Sequence, residues 1–393
     1  MRLVLYTGKG GVGKTTTAAA TAAWAAERSQ DRRVLVASAD AAHSLGDVIG
    51  EKLGPVPRGV AERLDAVEVD ARAETERHWG SVRDYLAQLF RHQGIEDIVA
   101  DELALLPGAE ELTTLLAVES WTREGPYDLV VVDCAPTGSA LRLLTVPEMA
   151  RSGLRLLLRV QRALASVVTP LAQSVLAVPL PGSAVFRDAE NLIYKRLRGL
   201  RELVTSERAS VRLVVTPERM VIDEALRART DLALFELACD AVVMNRLLPE
   251  GAADEAYFRD WARLQAERLS EVEARFAPLP VLRAELQEDE VIGVARLARH
   301  GAALFGDVEP DAVLCRGRGL RFVRTKAGVR ATLPLPDARA EDLSVTKLEG
   351  ELVIATAGQR RALPLPRHVA PLALARARLD GGTLTLDFAP KAP

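Results

Sequence analysis

A glycine-rich stretch near the start of the chain, TGKGGVGKTT at residues 7–16, has the composition of a phosphate-binding loop. It fits the pattern G-x-x-x-x-G-K-[ST] from Gly8 to Thr15. Glycines let successive backbone N–H groups face one anion, and a helix that begins at the end of the loop adds its dipole. A strand-like run precedes the loop and an alanine-rich run follows it, as the pattern requires. The stretch therefore predicts a binding site for nucleotide phosphates.

The residue types within the loop predict contacts to a nucleoside triphosphate and its cation. Lys14 would reach the β- and γ-phosphates, and the Thr15 hydroxyl would be a ligand of Mg²⁺. Lys9 is unusual, because the loop faces the phosphate with its backbone at this position. The Lys9 side chain is either exposed to solvent or contacts the nucleotide of a second subunit, as an arginine finger does. The residues expected to bind the nucleotide here are Gly8, Lys9, Gly10, Gly11, Val12, Gly13, Lys14, Thr15 and Thr16.

With its two lysines the loop resembles the deviant Walker A motif of the SIMIBI P-loop ATPases, which include the MinD/ParA group, nitrogenase iron protein and ArsA-type ATPases. In that class the first lysine acts across a homodimer, so the resemblance implies that Lys9 acts in trans. Residues 40–47, DAAHSLGD, resemble the switch I segment of ArsA and of the Get-pathway ATPase that targets tail-anchored membrane proteins. Residues 133–144, DCAPTGSALRLL, resemble their switch II. The resemblance covers about residues 1–305.

The family resemblance also implies roles for residues outside the loop, with ATP and Mg²⁺ as the bound species. Asp40 would orient the attacking water, and Asp133 would hold Mg²⁺ through water and sense the γ-phosphate. Asn245 would read the adenine edge, and Glu218 would lie near the nucleotide across the dimer interface. Locally, Asp40 also suits a helix N-cap and Asn245 a cap at a strand end. The implied catalytic residues are Asp40, Lys9 and Lys14, and the implied metal site comprises Thr15, Asp40 and Asp133.

The sequence departs from the family pattern in ways that affect the expected function. Ala41 replaces a proline of switch I, and Ser139 replaces a histidine of switch II. The zinc-binding CxxC of the targeting ATPase is absent, so we expect no zinc clamp in the dimer. The cysteines Cys134, Cys239 and Cys315 are scattered, whereas As(III) prefers several thiolates together. An arsenite-pump role is therefore disfavoured, and Cys134 is interpreted as a small buried hydrophobe.

The pattern of apolar runs predicts an α/β fold, a P-loop NTPase with a mostly parallel sheet flanked by helices. Uncharged strands separated by helices are typical of a sheet that is covered on both faces. Helix-rich stretches at about 71–125 and 147–207 are larger than a crossover needs and predict a helical insertion subdomain. Residues 257–276 predict a further helix. The expected strands are Leu3–Tyr6, Val34–Ala37, Leu129–Val132, Val211–Val215 and Ala241–Met244, and the residues on or near one face of that further helix are Trp261, Leu264, Leu269, Val272 and Phe276.

The end of the chain differs in kind from the rest. Short strands separated by the turns Lys326–Gly328, Ala357–Gly358 and Asp380–Gly382 predict hairpins of an all-β sandwich. We place a domain boundary at residues 306–312, between an ATPase domain at 1–306 and a sandwich at 313–393. The sandwich resembles the α-crystallin, or small heat-shock, domain, although the I-x-I anchor that usually follows it is absent.

Composition limits the remaining possibilities. The 393 residues are 48% hydrophobic and 27% charged with a net charge of −3, so the chain is globular and nothing argues for nucleic acid. No signal-peptide pattern is visible, which favours a cytoplasmic protein. Residues 163–186 carry no charge but contain three prolines, so we expect no integral membrane span.

The family resemblance, taken with these patterns, implies a homodimeric Mg-dependent ATPase switch that captures and releases a hydrophobic client. The client would be a protein or its transmembrane segment, and residues 163–186 would form either a groove wall or ordinary core. The alternative is a nucleotide-gated chaperone or scaffold that binds soluble proteins. A MinD-like positioning role is disfavoured, because the sequence ends DFAPKAP without an amphipathic helix.

Overall fold

The fold is described from a computed structural model, which describes residues 1–39, 44–92, 96, 109–134, 191–316, 319–348 and 350–390. Contacts divide the chain into two compact units. One comprises residues 1–69, 120–136 and 203–393, and the other comprises residues 70–119 and 137–202. The second unit overlaps the two predicted helical insertions. The predicted groove or core segment, residues 163–186, lies outside the described residues.

The first unit is built on an eight-stranded sheet in the order β3-β4-β2-β5-β1-β6-β7-β8. All neighbouring strands are parallel except β3, which runs antiparallel to β4 at the edge. Every residue of β1, β2, β5 and β6 is buried, so the predicted parallel sheet covered on both faces is confirmed. Its strands are β1 Arg2–Thr7, β2 Val34–Ser38, β3 Arg58–Ala61, β4 Leu64–Glu68, β5 Leu129–Asp133, β6 Ala209–Val215, β7 Cys239–Leu247 and β8 Val281–Glu285.

Helices of the first unit connect these parallel strands and cover the sheet. Because each connection returns to the start of a parallel strand, a helix that follows a strand begins at the carboxyl edge of the sheet. α1 packs tightly on α8, and a Cβ added at Gly301 would lie 2.4 Å from the Ala20 carbonyl oxygen. The helices wholly within this unit are α1 Lys14–Arg28, α2 Ser44–Ile49, α6 Arg219–Leu234, α7 Arg259–Phe276 and α8 Val294–Phe305.

The described part of the second unit is helical. It contains α3 Ala71–His92, most of α4 Ala109–Glu124, a π-helical turn at Asn191–Arg196 and most of α5 Leu197–Val204. Arg196 donates to the Leu116 carbonyl oxygen at 2.9 Å and lies 3.6 Å from the Glu119 carboxylate, which ties the last turn to α4. Within the described ranges, none of the helices has the length and apolarity needed to cross a membrane.

The end of the chain forms two antiparallel sheets, of order β14-β15-β10-β9 and β11-β12-β13. The three predicted turns each join two paired strands, as expected. Alternate residues of the central strands, such as Leu333, Ile354 and Leu386, are fully buried between the sheets. The strands are β9 Arg321–Thr325, β10 Gly328–Pro334, β11 Ser344–Leu348, β12 Glu351–Ala355, β13 Arg360–Pro364, β14 Ala373–Asp380 and β15 Thr383–Ala389.

A buried arginine attaches the sandwich to the end of α6. Arg361 donates to the Leu234 carbonyl oxygen and to the Glu236 carboxylate, the latter at 2.7 Å. Its guanidinium also lies 5.8 Å from the centre of the Phe235 ring, and only 2% of Arg361 is exposed. The sandwich therefore belongs to the same compact unit as the parallel sheet.

The helix predicted at residues 257–276 exists as α7, but its predicted apolar face is only partly buried. Val272 and Phe276 are fully buried in the last turns, as an amphipathic helix requires. Trp261 and Leu264 in the first turns are 65% and 42% exposed. The apolar face therefore extends along the whole helix, but in the described structure other residues cover only its C-terminal half.

Replacing Arg361 by alanine tests the attachment of the sandwich. The change leaves the Leu234 carbonyl and the Glu236 carboxylate without the charged donor, so we expect the free energy of unfolding to fall by about 2–3 kcal/mol. Urea denaturation measures it, and proteolysis near residues 306–320 should quicken because the sandwich detaches more often. Arg360→Ala, at the exposed neighbouring position, is the matched control. Equal stability of the two variants would contradict the proposed attachment.

Candidate functional site

The predicted site residues of the first unit lie at the carboxyl edge of the parallel sheet. The phosphate loop follows β1, Asp133 ends β5, Glu218 follows β6 and Asn245 lies near the end of β7. In the sheet order β5, β1, β6 and β7 are consecutive neighbours, so loops from four adjacent strands meet there. The phosphate loop and these three side chains are far apart in the sequence. The parallel topology brings them to one edge of the sheet.

The loop adopts the conformation that its glycines predict. Gly11 and Gly13 have φ angles of 80° and 92°, in the left-handed region that side chains disfavour. α1 starts at Lys14 without a side-chain cap, and Thr17 N–H donates to the Gly13 carbonyl oxygen at 3.0 Å. The N–H groups of the first turn therefore point out of the helix end, where they can donate to an anion.

Asn245 holds the phosphate loop from a strand that is not adjacent to β1. Its Nδ2 atom donates to the Val12 carbonyl oxygen at 2.8 Å, and its Oδ1 atom accepts from the Arg246 N–H at 2.9 Å. A Cβ added at Gly13 would lie 2.3 Å from the same Nδ2 atom, so this glycine is also needed for close approach. The structure thus gives the amide a positioning role that the sequence did not indicate. Adenine recognition by Asn245 stays a prediction.

A set of oxygen atoms joins the loop to the strand ends beside it. The Thr15 hydroxyl donates to the buried Asp133 carboxylate and lies 3.1 Å from the Ser44 hydroxyl. The Ala39 N–H donates to the Asp133 carbonyl oxygen at 2.9 Å, so the residue that follows β2 lies beside the end of β5. Hydroxyl and carboxylate oxygens suit Mg²⁺, which prefers oxygen ligands and keeps several waters. Ser44 escaped prediction because a serine at a helix start is usually a cap, and Asp40 lies outside the described residues.

The two lysines of the loop contact each other through the backbone. The Lys14 ammonium donates to the Lys9 carbonyl oxygen at 3.2 Å, so in this conformation it folds back over the loop. A triphosphate with its greater negative charge would compete for this ammonium. Glu218 is exposed at the N-cap position of α6, and its carboxylate lies 3.4 Å from the Thr216 hydroxyl. Its predicted position across an interface is therefore open to a partner.

Cys134 lies apart from the other two cysteines, whereas Cys239 and Cys315 line one cavity of about 770 Å³. Cys134 lies at the carboxyl edge after β5, whereas Cys239 begins β7 at the opposite edge. Burial raises the pKa of the Cys134 thiol far above its usual range and raises that of Cys239 to about 12, so both are protonated at neutral pH. In the parts of the chain that the structure describes, no three His, Cys, Asp or Glu side chains are grouped to hold a metal ion.

Substitution of Asn245 tests whether its amide positions the loop. Asn245→Asp keeps an oxygen for the Arg246 N–H but replaces the donor to the Val12 carbonyl by a second acceptor. We expect the Kd for Mg-ATP to rise about tenfold or more, since one buried hydrogen bond is replaced by repulsion. Isothermal titration calorimetry measures the Kd, and Arg246→Asn, at the exposed and left-handed neighbouring position, is the control. An unchanged Kd for Mg-ATP would show that the Asn245 amide does not position the phosphate loop.

Comparisons with known proteins identify the family of the chain. The family model described as "Anion-transporting ATPase" matches residues 1–306, and that described as "HSP20-like domain found in ArsA" matches residues 326–388. The protein named "Putative arsenical pump-driving ATPase 1" of Aquifex aeolicus is 33% identical over 390 residues, 97% of this chain and 98% of its own length. "ATPase ASNA1 homolog" of Trypanosoma cruzi is 29% identical over 339 residues, 79% of this chain and 93% of that protein. The chain therefore belongs to the ArsA family of ATPases.

Proposed function

We infer that this ATPase is a Mg-dependent switch that works as a cytoplasmic homodimer to capture and release a hydrophobic client protein. The observation that carries the proposal is the contact of Thr15, in the phosphate loop, with Asp133 and Ser44. Ser44 lies within the segment that resembles switch I, and Asp133 begins the segment that resembles switch II. Loss of the γ-phosphate on hydrolysis would therefore affect both segments through groups that are hydrogen-bonded to Thr15.

The chemistry assigned to the site is the attack of water on the γ-phosphate of ATP. Asp40 would accept a hydrogen bond from this water and orient it, which is the role of the polar group beside the nucleophile in such enzymes. Lys14 would neutralise charge on the β- and γ-phosphates, and Lys9 of the second subunit would add positive charge from across the dimer. Thr15 and Asp133 would hold Mg²⁺, which neutralises phosphate charge when bound.

The proposed client is a transmembrane segment of a tail-anchored protein. Support comes from the family resemblance in both switch segments and from the large helical insertions. A groove formed by these insertions would act as a switch only if it binds the client with different affinities in the ATP and ADP states. A nucleotide-gated scaffold for soluble proteins remains the second candidate, since the family of the sandwich includes small heat-shock proteins.

An arsenite-pump role, as in the names of several relatives, is less well supported by the residues of this chain. As(III) prefers several thiolates in one place. Two of the three thiols, those of Cys239 and Cys315, line one cavity, and Cys134 lies at the opposite edge of the sheet. The high pKa of the Cys134 and Cys239 thiols keeps both protonated. We therefore favour a protein client over an oxyanion.

Replacing Asp40 by asparagine tests the hydrolytic assignment. The amide keeps the size of the side chain but accepts the water's hydrogen bond less strongly, so we expect kcat to fall at least 100-fold. The Kd for Mg-ATP should stay within about threefold, because the phosphate loop supplies the phosphate contacts and Thr15 and Asp133 are still present to hold Mg²⁺. Steady-state phosphate release and calorimetry measure the two quantities. Asp47→Asn, in the same segment but within α2, is the control, and normal turnover of Asp40→Asn would refute the assignment.

Capture of a peptide tests the client. The Asp40→Asn protein would be loaded with Mg-ATP or Mg-ADP and mixed with a labelled tail-anchor peptide of about 20 apolar residues. We expect size-exclusion chromatography to show a defined complex with dimeric protein in ATP and its loss in ADP. A scrambled peptide with charged residues at its centre is the control. Retention of unfolded soluble protein instead of the peptide would favour the scaffold function.

A further inference from the structure

The net charge of −3 conceals a large difference in charge between two parts of the chain. Residues 313–393 carry 14 Arg and Lys side chains but only seven Asp and Glu, so their formal charge is +7. Residues 1–312 carry 37 Arg and Lys against 47 Asp and Glu, which gives −10. A charge asymmetry of this size indicates a partner that attracts one part of the chain and not the other. The basic part contains the sandwich, so we expect the partner of the sandwich to be anionic.

One face of the four-stranded sheet of the sandwich points away from its apolar interior, and we name it the outer face. Alternate residues of β10 and β15 are buried, so the residues between them belong to the outer face. Side chains of directly paired residues lie on the same face of a sheet, so the strand register extends the outer face to β9 and β14. Two rows cross the four strands, Arg376, Asp387, Arg330 and Val323 in one and Arg378, Thr385, Thr332 and Arg321 in the other.

The arginines of the outer face are only partly neutralised. The two rows contain four arginines and one aspartate. Arg330 donates to both oxygen atoms of the Asp387 carboxylate, at 2.7 and 3.4 Å. Arg321 and Arg376 are exposed, and neither has a hydrogen bond or an ion pair to a residue that the structure describes. Both guanidinium groups can therefore donate to an external anion, and a guanidinium binds a phosphate group through two parallel hydrogen bonds.

The other side chains of the outer face favour a phospholipid surface over a nucleic acid. Single-stranded nucleic acids bind by stacking their bases on aromatic rings, and the two rows contain no aromatic residue. Thr332 and Thr385 lie between the arginines of the second row, where their hydroxyls can donate to phosphate oxygens. Val323, at the end of the first row, is 59% exposed. An exposed apolar side chain beside arginines suits the boundary between lipid headgroups and acyl chains.

We propose that the outer face of the sandwich binds the surface of a membrane that contains anionic phospholipids. The attraction acts on the basic sandwich and not on the acidic remainder of the chain, so it also turns the sandwich towards the bilayer. Binding of this kind is peripheral and reversible, since it depends on charge and not on a membrane span. The inference goes beyond the proposed function and does not depend on it, because neither nucleotide nor client takes part in the contact.

Flotation of the full, nucleotide-free chain with lipid vesicles tests the proposal. We expect it to float with vesicles of equal parts phosphatidylglycerol and phosphatidylcholine but not with phosphatidylcholine alone, and high salt should release it by screening. Each arginine contributes about fivefold to such binding, so Arg321→Gln/Arg376→Gln should lower the partition coefficient at least about tenfold. Arg378 is kept because it already pairs with Asp380. Thermal unfolding and ATP hydrolysis should not change, since both substituted side chains are exposed and lie outside the nucleotide site.

The matched control is Arg360→Gln/Arg367→Gln. Both arginines are exposed and belong to the sandwich, but Arg360 begins β13 in the other sheet and Arg367 follows that strand. The control removes the same charge from the same domain, so we expect it to lower the partition coefficient less than threefold. Equal losses in the two double variants would show that the total charge of the sandwich, and not its outer face, binds the vesicles.

Three further results would overturn the proposal. The first is that the unmodified chain fails to float with the anionic vesicles. The second is that sodium phosphate releases the chain better than sodium chloride of equal ionic strength, which would indicate a site for a free phosphate. The third is that a DNA duplex, and not the vesicles, binds in a way that the Arg321→Gln/Arg376→Gln change weakens. None of these results bears on the proposed homodimeric switch, which the peptide-capture experiment tests separately.

Discussion

Burial of the central parallel strands on both faces is the constraint on which the rest of the structure depends. A strand with no exposed face cannot present functional side chains along its length, so polar chemistry is confined to the two edges of the sheet. β1, β5 and β6 are buried throughout, and the groups suited to phosphate and Mg²⁺ follow their carboxyl ends. The same constraint fixes where the following helices begin and therefore what surface surrounds the nucleotide site.

The opposite edge of the sheet carries charges that are compensated inside the protein. The Asp240 carboxylate accepts from Arg2 at 2.9 Å, from Arg212 at 3.2 Å and from the Leu314 N–H at 3.3 Å. Burial is the main reason that the pKa of Arg2 is lowered, and Asp240 opposes the shift. Residue 314 leads into the sandwich, so a buried ion pair joins the sheet to the sandwich's linker. α6 runs from Arg219, next to its N-cap Glu218 at the carboxyl edge, to Leu234, where Arg361 attaches the sandwich.

Sequence patterns predicted the phosphate loop, the parallel sheet and the hairpins, because each depends on local composition or on periodicity. They did not predict contacts that depend on the packing of distant segments. Asn245 bonds to Val12 across 233 positions of sequence, which only the completed sheet brings together. Arg361 is expected on the surface by its type, yet it is buried because α6 ends in a carbonyl and a carboxylate that accept its donors. The apolar periodicity of α7 was visible, but periodicity does not reveal which part of a helix face is covered.

The two edges of the sheet differ in how tightly their charged groups are held, and this difference bears on the proposed switch. At the amino edge Asp240 is fully buried between two guanidinium groups, and removing either partner would leave a buried charge, so this arrangement resists change. At the carboxyl edge the Thr15 hydroxyl donates its hydrogen bond to the Asp133 carboxylate, and a cation would be attracted to the same carboxylate. A hydrogen bond to a charged group contributes about 1.5–3 kcal/mol, which the attraction of a divalent ion for the same carboxylate exceeds. Under the proposed function, nucleotide and cation would therefore rearrange this edge while the sheet and its attachment to the sandwich stay fixed.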